Sequence, residues 1–237
     1  MVFGKFASRI YTLRANMAFQ KGNVQGTIDF LGKAYKTGEA KARTVTTYGY
    51  VLLKYGKLDE SIKILSEQLT STKLSTKERL NAKSNYALAL WKKGQLDEAI
   101  SINEEIITNY KHTIIYGSLG YLYNLKGDLE KALKFNLEAY DYNDSNGVIL
   151  DNLGQTYYLL GDLENADKIF KKLMNLNPKF PEAFYDYALV FEKMGDKEKC
   201  IEMLKNALLY KPNNLSAITI EDIESKLEEV EQKSAFS

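Results

Sequence analysis

The chain has 237 residues, of which 45% are hydrophobic and 27% are charged, the balance of a folded protein. Lysine and arginine number 32 against 31 acidic residues, and the net charge of +1 argues against a dedicated nucleic-acid binder. One cysteine and one histidine cannot form an internal disulfide or a histidine metal site, and no apolar run has the length of a membrane helix. We therefore expect a cytoplasmic chain without a membrane span, metal or other cofactor.

The charge is unevenly distributed along the chain. Residues 1–118 contain 18 basic and 10 acidic side chains, a balance of +8, whereas residues 119–237 contain 14 basic and 21 acidic ones, a balance of −7. The two halves therefore have opposite net charge, and they predict different ligand preferences at the two ends.

A basic amphipathic helix is predicted at the start of the chain. Its apolar stripe, the N-terminal apolar edge, consists of Val2, Phe3, Phe6, Ile10 and Leu13. The favoured interpretation is that this stripe packs on the next helix. The alternatives are an exposed edge for docking or self-association, and the end of a membrane segment that lies upstream, which would make the protein membrane-associated.

Six similar turns follow at a regular spacing. Their glycines, separated by 34, 38, 33, 34 and 34 residues, are Gly22, Gly56, Gly94, Gly127, Gly161 and Gly195. Apolar residues recur at helical spacing on both sides of the turns, so each unit is predicted to be a helix hairpin. Glycine suits the end of the first helix because it accepts a left-handed backbone, and an acidic residue just after it favours the start of the second.

Two segments depart from the period. The 38-residue step contains Ser75 and Glu78 in a capping-box pattern, which predicts a longer loop and an extended helix after it. After Pro212, apolar residues at 220, 223, 227 and 230 alternate with acids. We interpret this segment as a capping helix, which gives hairpins over residues 1–212 and a cap and tail over 213–237.

The sequence contains no pattern of residues that predicts catalysis. His112 has no second histidine or cysteine nearby and is interpreted as a solvated loop residue, and Cys200 stands where other units have alanine, which predicts a buried small side chain. The stretch 143–147 resembles part of a calcium loop but lacks its distant glutamate, so it is interpreted as a turn. We expect no enzyme activity.

The repeat itself resembles a known family. The fifth unit shows its pattern in full, at Leu153, Gly154, Tyr157, Gly161, Ala166, Phe170 and Pro178. This pattern and the period resemble the tetratricopeptide repeat (TPR) over about residues 9–212. The resemblance implies an all-α, right-handed superhelical solenoid of antiparallel helix hairpins, whose first helices line a concave groove that binds proteins or peptides.

The resemblance also implies which residues face the groove. Carried through the glycine register, the predicted partner-binding positions are Asn16, Arg43, Tyr50, Lys54, Asn85, Leu88, Trp91, Tyr121, Asn124, Asn152, Gln155, Tyr158 and Tyr185. Amides such as Asn85 and Asn152 can bond a peptide backbone, and the aromatic residues offer flat apolar area. Of the positions that clamp chaperone carboxyl termini in some TPR proteins, only Asn16 agrees, so that ligand is not expected.

The predicted function is therefore an interaction scaffold that binds a partner protein or an extended peptide. Two alternatives stay open at this point. One is a regulator that responds to a signalling peptide, although no stretch of sequence before the first unit could form a DNA-binding domain. The other is an envelope assembly factor that is tethered to the membrane by a segment upstream of Val2.

Overall fold

A computed structural model describes residues 2–235 of the chain, and it is all-helical over this range. The first half contains α1 (Val2–Gln20), α2 (Val24–Lys36), α3 (Ala42–Lys54), α4 (Leu58–Leu69), α5 (Thr76–Lys92) and α6 (Leu96–Asn109). The second half contains α7 (Thr113–Lys126), α8 (Leu129–Tyr142), α9 (Gly147–Leu160), α10 (Leu163–Met174), α11 (Pro181–Met194), α12 (Lys197–Ala207) and α13 (Ile220–Ala235). The predicted all-α fold class is confirmed.

The turns between paired helices have the predicted geometry. The turn glycines adopt a left-handed backbone, with φ of +79° at Gly127 and +80° at Gly161. Directly after these two glycines, the side chains of Asp128 and Asp162 accept hydrogen bonds from the backbone amides of Lys131 and Asn165, in the first turns of α8 and α10. Each turn therefore ends one helix and caps the next within two residues.

The predicted capping box at the start of α5 is also present. Ser75 accepts a hydrogen bond from the backbone of Glu78, and the Glu78 carboxylate accepts one from the backbone amide of Ser75 at 3.0 Å. Arg79 donates to two carbonyl groups of the preceding loop, those of Leu69 and Ser71. These bonds fix the longer loop against the helix that follows it.

The chain divides into two compact units, residues 1–106 and 107–237. In the first unit, α1 packs on α2, α3 on α4, and α3 also contacts α5, the first helix of the next hairpin. Close approach within a hairpin depends on a small residue: a β-carbon at Gly49 would lie 2.6 Å from the Leu65 side chain. Whether residues 1–212 form one domain stays a prediction.

In the second unit the first helices of successive hairpins lie side by side, α7 against α9 and α9 against α11. Phe170, Leu153 and Leu204 are fully or almost fully buried in the core that continues to the end of this unit. The helix α13 closes the core by packing on α12, with Ile223 fully buried and Val230 5% exposed. The expected C-terminal capping helix is therefore present.

The N-terminal apolar edge is not buried by the neighbouring helix. Phe3 is 88% exposed, and Phe6 and Leu13 are both more than 60% exposed. The contact between α1 and α2 uses smaller residues instead, with Ala15 only 1% exposed. The favoured interpretation of the sequence is therefore wrong for Phe3, Phe6 and Leu13, while the side chain of Val2 lies outside the described residues.

Candidate partner-binding surface

In the first unit, the predicted binding residues lie on α1, α3 and α5 at different depths. Asn16 and Arg43 are exposed, whereas Tyr50 and Lys54 are partly buried near the end of α3. Burial is the main cause that raises the pKa of the Tyr50 hydroxyl above its usual range. An open cleft of about 510 Å³ in the same unit does not include these residues and is lined by Lys5, Ser8, Arg9, Thr12, Leu13, Glu39, Lys41 and Thr44.

The α5 helix holds an aromatic and an amide that remain accessible. Trp91 and Leu88 are partly exposed, and the Lys92 ammonium lies 4.4 Å from the centre of the Trp91 ring. Asn85, also partly exposed, forms no side-chain hydrogen bond to any residue of the described range 2–235. An amide in this state can donate to and accept from a peptide backbone, as the sequence predicted.

In the second unit, two of the predicted amides are instead buried between helices. Asn152, 2% exposed, donates from Nδ2 to the Gly117 carbonyl at 2.7 Å. Asn124, 6% exposed, donates to the Asn152 carbonyl at 2.8 Å and to Gln155 Oε1 at 3.0 Å, and its own oxygen accepts from Thr156 at 2.7 Å. These amides join α7 to α9, so their hydrogen-bonding groups are used within the fold.

Gln155 continues this set of bonds to the next helix. Its Nε2 donates to Asp186 Oδ2 at 3.4 Å, which links α9 to α11. Partly exposed on the same three first helices are Tyr121, Tyr158 and Tyr185. The surface of the second unit therefore consists of partly exposed tyrosines on helices that are held in register by buried and half-buried amides.

Three carboxylates, those of Asp151, Glu182 and Asp186, lie near these tyrosines, and the glycine register of the TPR resemblance also places all three on the groove side of the first helices. Asp151 is 9% exposed, and burial together with the charges of Asp186 and Glu182 raises its pKa well above the usual value. Burial, followed by the charge of Glu182, raises the pKa of Asp186 to about 7. The four-residue spacing of Glu182 and Asp186 puts them on one face of α11, a signal that the sequence does contain.

Cys200 and His112, the two residues considered for catalysis, both have structural roles. Cys200 is fully buried, and burial is the main cause that raises its thiol pKa to about 11. His112 lies in the loop before α7, as expected, and it is the N-cap of that helix, where its Nδ1 accepts from the amide of Ile114 at 3.3 Å. Within residues 2–235, no group of three or more histidine, cysteine or acidic side chains is arranged to hold a metal ion.

The comparison with protein families agrees with this geometry. The tetratricopeptide repeat profile matches residues 149–180, which cover all but the first two residues of the α9–α10 hairpin, and residues 181–214, which contain the α11–α12 hairpin. Residues 149–214 are tetratricopeptide repeats. Repeats of this family typically serve as protein-binding scaffolds and not as catalysts.

Solved structures share the TPR fold at low sequence identity. A TPR protein of the thermophile Thermus thermophilus is 19% identical, with 81% of this chain and all of that chain covered and a TM-score of 0.67. PilF of Pseudomonas aeruginosa is 13% identical, with 86% and 91% covered and a TM-score of 0.64. A tetratricopeptide repeat protein of Parabacteroides merdae is 12% identical, with 95% and 99% covered and a TM-score of 0.54.

A comparison with curated proteins found no match. Within the described part of the chain, none of the helices combines the length and the apolar character that crossing a membrane requires.

Proposed function

We propose that this protein binds extended segments of a partner protein on the first-helix face of each of its two units, and that it acts by binding and not by catalysis. The observation that carries the proposal is the accessibility of aromatic side chains on this face. Trp91 in the first unit, and Tyr121, Tyr158 and Tyr185 in the second, remain partly exposed on helices whose other faces are packed. Aromatic residues of this kind dominate the affinity of protein interfaces at little entropic cost.

The two units offer different chemistry to such a partner. The first-helix face of the first unit presents the exposed Arg43, the partly buried Lys54 and the amide of Asn85, which has no partner in residues 2–235. In the second unit the same face presents tyrosines and the carboxylates of Glu182 and Asp186. The charges on each face orient a bound segment and accelerate its association more than they tighten its binding.

Site-specific photo-crosslinking in the native cell tests the second unit. A photoreactive phenylalanine derivative at Tyr158 or Tyr185 should form covalent adducts with a common partner. The matched control is Leu137, an exposed residue of the second helix α8. Equal crosslinking of the same partner from Leu137 would place the binding surface on the second helices and contradict the proposal.

Affinity measurements with the captured partner test the first unit. Trp91→Ala and Asn85→Ala should each weaken binding by roughly 1–3 kcal/mol without loss of helicity, as expected for an aromatic anchor and a backbone hydrogen bond. The competing surface is the exposed N-terminal apolar edge. If Phe3→Ser and Phe6→Ser abolish binding while the α5 variants do not change it, the edge and not the first-helix face is the working surface.

A further inference from the structure

Three carboxylates lie close together on the first-helix face of the second unit, and this cluster is named the acidic pocket. Asp151 lies on α9, and Glu182 and Asp186 lie one turn apart on α11. Their proximity follows from two observations. The charges of Asp186 and Glu182 act on Asp151, and Gln155, one turn after Asp151, reaches Asp186 Oδ2 at 3.4 Å.

The carboxylates of the pocket lack ion-pair partners within the described chain. Asp151 is nine-tenths buried, and its Oδ1 has neither solvent contact nor a hydrogen-bond partner among residues 2–235. None of the three carboxylates forms an ion pair with a lysine or arginine of that range. A buried carboxylate without a hydrogen bond or a counter-charge costs several kcal/mol, so such a group calls for a partner.

Helix dipoles compensate only one of the three acids. Glu182 lies in the first turn of α11, where the positive end of the helix stabilises a carboxylate. Asp151 and Asp186 lie beyond the first turns of their helices, where this effect has faded. The negative charge of Asp151 and Asp186 is therefore uncompensated by the fold.

The neighbouring cations of the chain are engaged elsewhere. Lys226 of α13 pairs with Glu192 at 3.3 Å and with Glu229 at 2.7 Å. Lys193 lies 5.9 Å from the centre of the Tyr158 ring. The acidic groups are also not arranged to hold a metal ion within the described residues. Among the described residues, protonation is the remaining way to relieve this charge, and a cationic ligand with several hydrogen-bond donors relieves it without a bound proton.

Aromatic rings surround the same place. Tyr121 of α7 interacts electrostatically with all three carboxylates, and Asp186 also acts on Tyr158 and Tyr185. Aromatic faces pack well against the aliphatic stem of a long basic side chain and attract its charged end. The combination of acids at the base and rings beside them suits lysine or arginine.

We propose that the pocket formed by Asp151, Glu182, Asp186 and Tyr121 binds one lysine or arginine side chain of the partner segment. This inference rests on the proposed function, because it names the chemistry that the first-helix face of the second unit selects. The carboxylates accept hydrogen bonds from the ammonium or guanidinium group, and Asp151 gains the partner that it lacks within the chain.

Small charged probes test the pocket without knowledge of the partner. N-acetyl-arginine amide and N-acetyl-lysine amide are titrated into the isotope-labelled full chain at constant ionic strength, with uncharged N-acetyl-citrulline amide as the matched control. The charged probes should give saturable shifts of the amide signals around residues 121, 151, 182 and 186, with dissociation constants that are roughly millimolar for ligands of this size. Citrulline amide should give none.

Variants assign the effect to the pocket. Asp151→Asn and Asp186→Asn should each weaken the charged probes roughly tenfold or more, since each removes one charge of a half-buried pair. Both variants relieve repulsion between the acids of the cluster and should fold at least as well as the parent. Asp141→Asn, which removes an exposed carboxylate of α8, should not change the binding.

Either of two results would overturn the inference. Shifts that are absent or equal for citrulline amide would show that charge is not recognised, and affinity that is unchanged in Asp151→Asn and Asp186→Asn would place the site elsewhere. Both results leave the proposed function intact if Tyr158 still crosslinks to a partner. Conversely, probe binding without crosslinks from Tyr158 or Tyr185 would contradict the proposed function and not the pocket.

Discussion

Asn152 and Gly117 are 35 positions apart, and the Asn152 Nδ2 donates to the Gly117 carbonyl at 2.7 Å in the buried contact between α9 and α7. The corresponding amide was expected to bond a partner's backbone, but here it joins two hairpins of the same chain. Register between the first helices therefore depends on side-chain hydrogen bonds as well as on apolar packing.

Removal of this bond should lower stability. Asn152→Ala leaves a buried carbonyl without its donor, so the free energy of unfolding should fall by about 1–3 kcal/mol. Urea denaturation followed by circular dichroism measures the change. Asn175→Ala, in which the lost side chain is exposed after α10, is the control and should be almost neutral. Equal effects of the two substitutions would show that the Asn152 bond does not contribute.

The stability of the protein should depend on pH through the carboxylates of the acidic pocket. The pKa of Asp186 is raised from 3.8 to about 7, and that of Asp151 is raised as well, so the folded state holds more protons than the unfolded state between these values. The contribution of these groups to stability is therefore greatest below about pH 4, and this contribution is lost as the pH rises to about 7. Each extra proton contributes about 1.4 kcal/mol per pH unit.

Thermal unfolding between pH 4.5 and 8 measures this dependence. The groups around Asp186 are Asp151, Gln155 and Tyr158 on α9, Tyr121 on α7, and Glu182 and Tyr185 on its own helix. Asp186→Asn should flatten the decrease in melting temperature with pH and raise the melting temperature at pH 8. An unchanged slope in this variant, equal to that of Asp141→Asn, would show that Asp186 does not titrate in this range.

A small residue is required at the close approach within the fifth hairpin. A β-carbon at Gly154 would lie 2.7 Å from the Phe170 ring, which is itself fully buried. Gly154→Ala should therefore destabilise the fold by about 1–3 kcal/mol, because the ring cannot move without disturbing the core. Calorimetry measures the change, and Gly147→Ala is the control, since its nearest contact would be an ordinary 3.5 Å.

The cap α13 should protect the end of the second unit. Deletion of residues 213–237 exposes the surface that buries Ile223 and Val230. We expect lower solubility and stronger binding of a hydrophobic dye, with most of the helicity retained, because repeat units depend mainly on their nearest neighbours. Replacement of the exposed Glu228 by Gln is the control. A truncated chain that stays as soluble as the parent would contradict the role of α13 as a cap.

The sequence alone determined those features that depend on neighbouring residues in the chain. Left-handed turns follow from glycine at Gly127 and Gly161, and the start of α5 follows from Ser75 and Glu78, because these conformations are decided within a few residues. The burial of Cys200 could also be predicted, since its position repeats that of alanine in other units. Periodicity thus determined the helices and their ends, but it did not determine the packing face of α1, where Phe3, Phe6 and Leu13 are exposed.

Tertiary structure alone decided how the polar residues of the first helices are used. Asn152 and Asn85 are both asparagines on first helices, yet one is bonded to Gly117 and the other has no hydrogen-bond partner in the described range. Asp151 and Asp186 are 35 positions apart and meet because α9 lies beside α11. Burial and charge at such points depend on the distance between helices, which no local pattern in the sequence specifies.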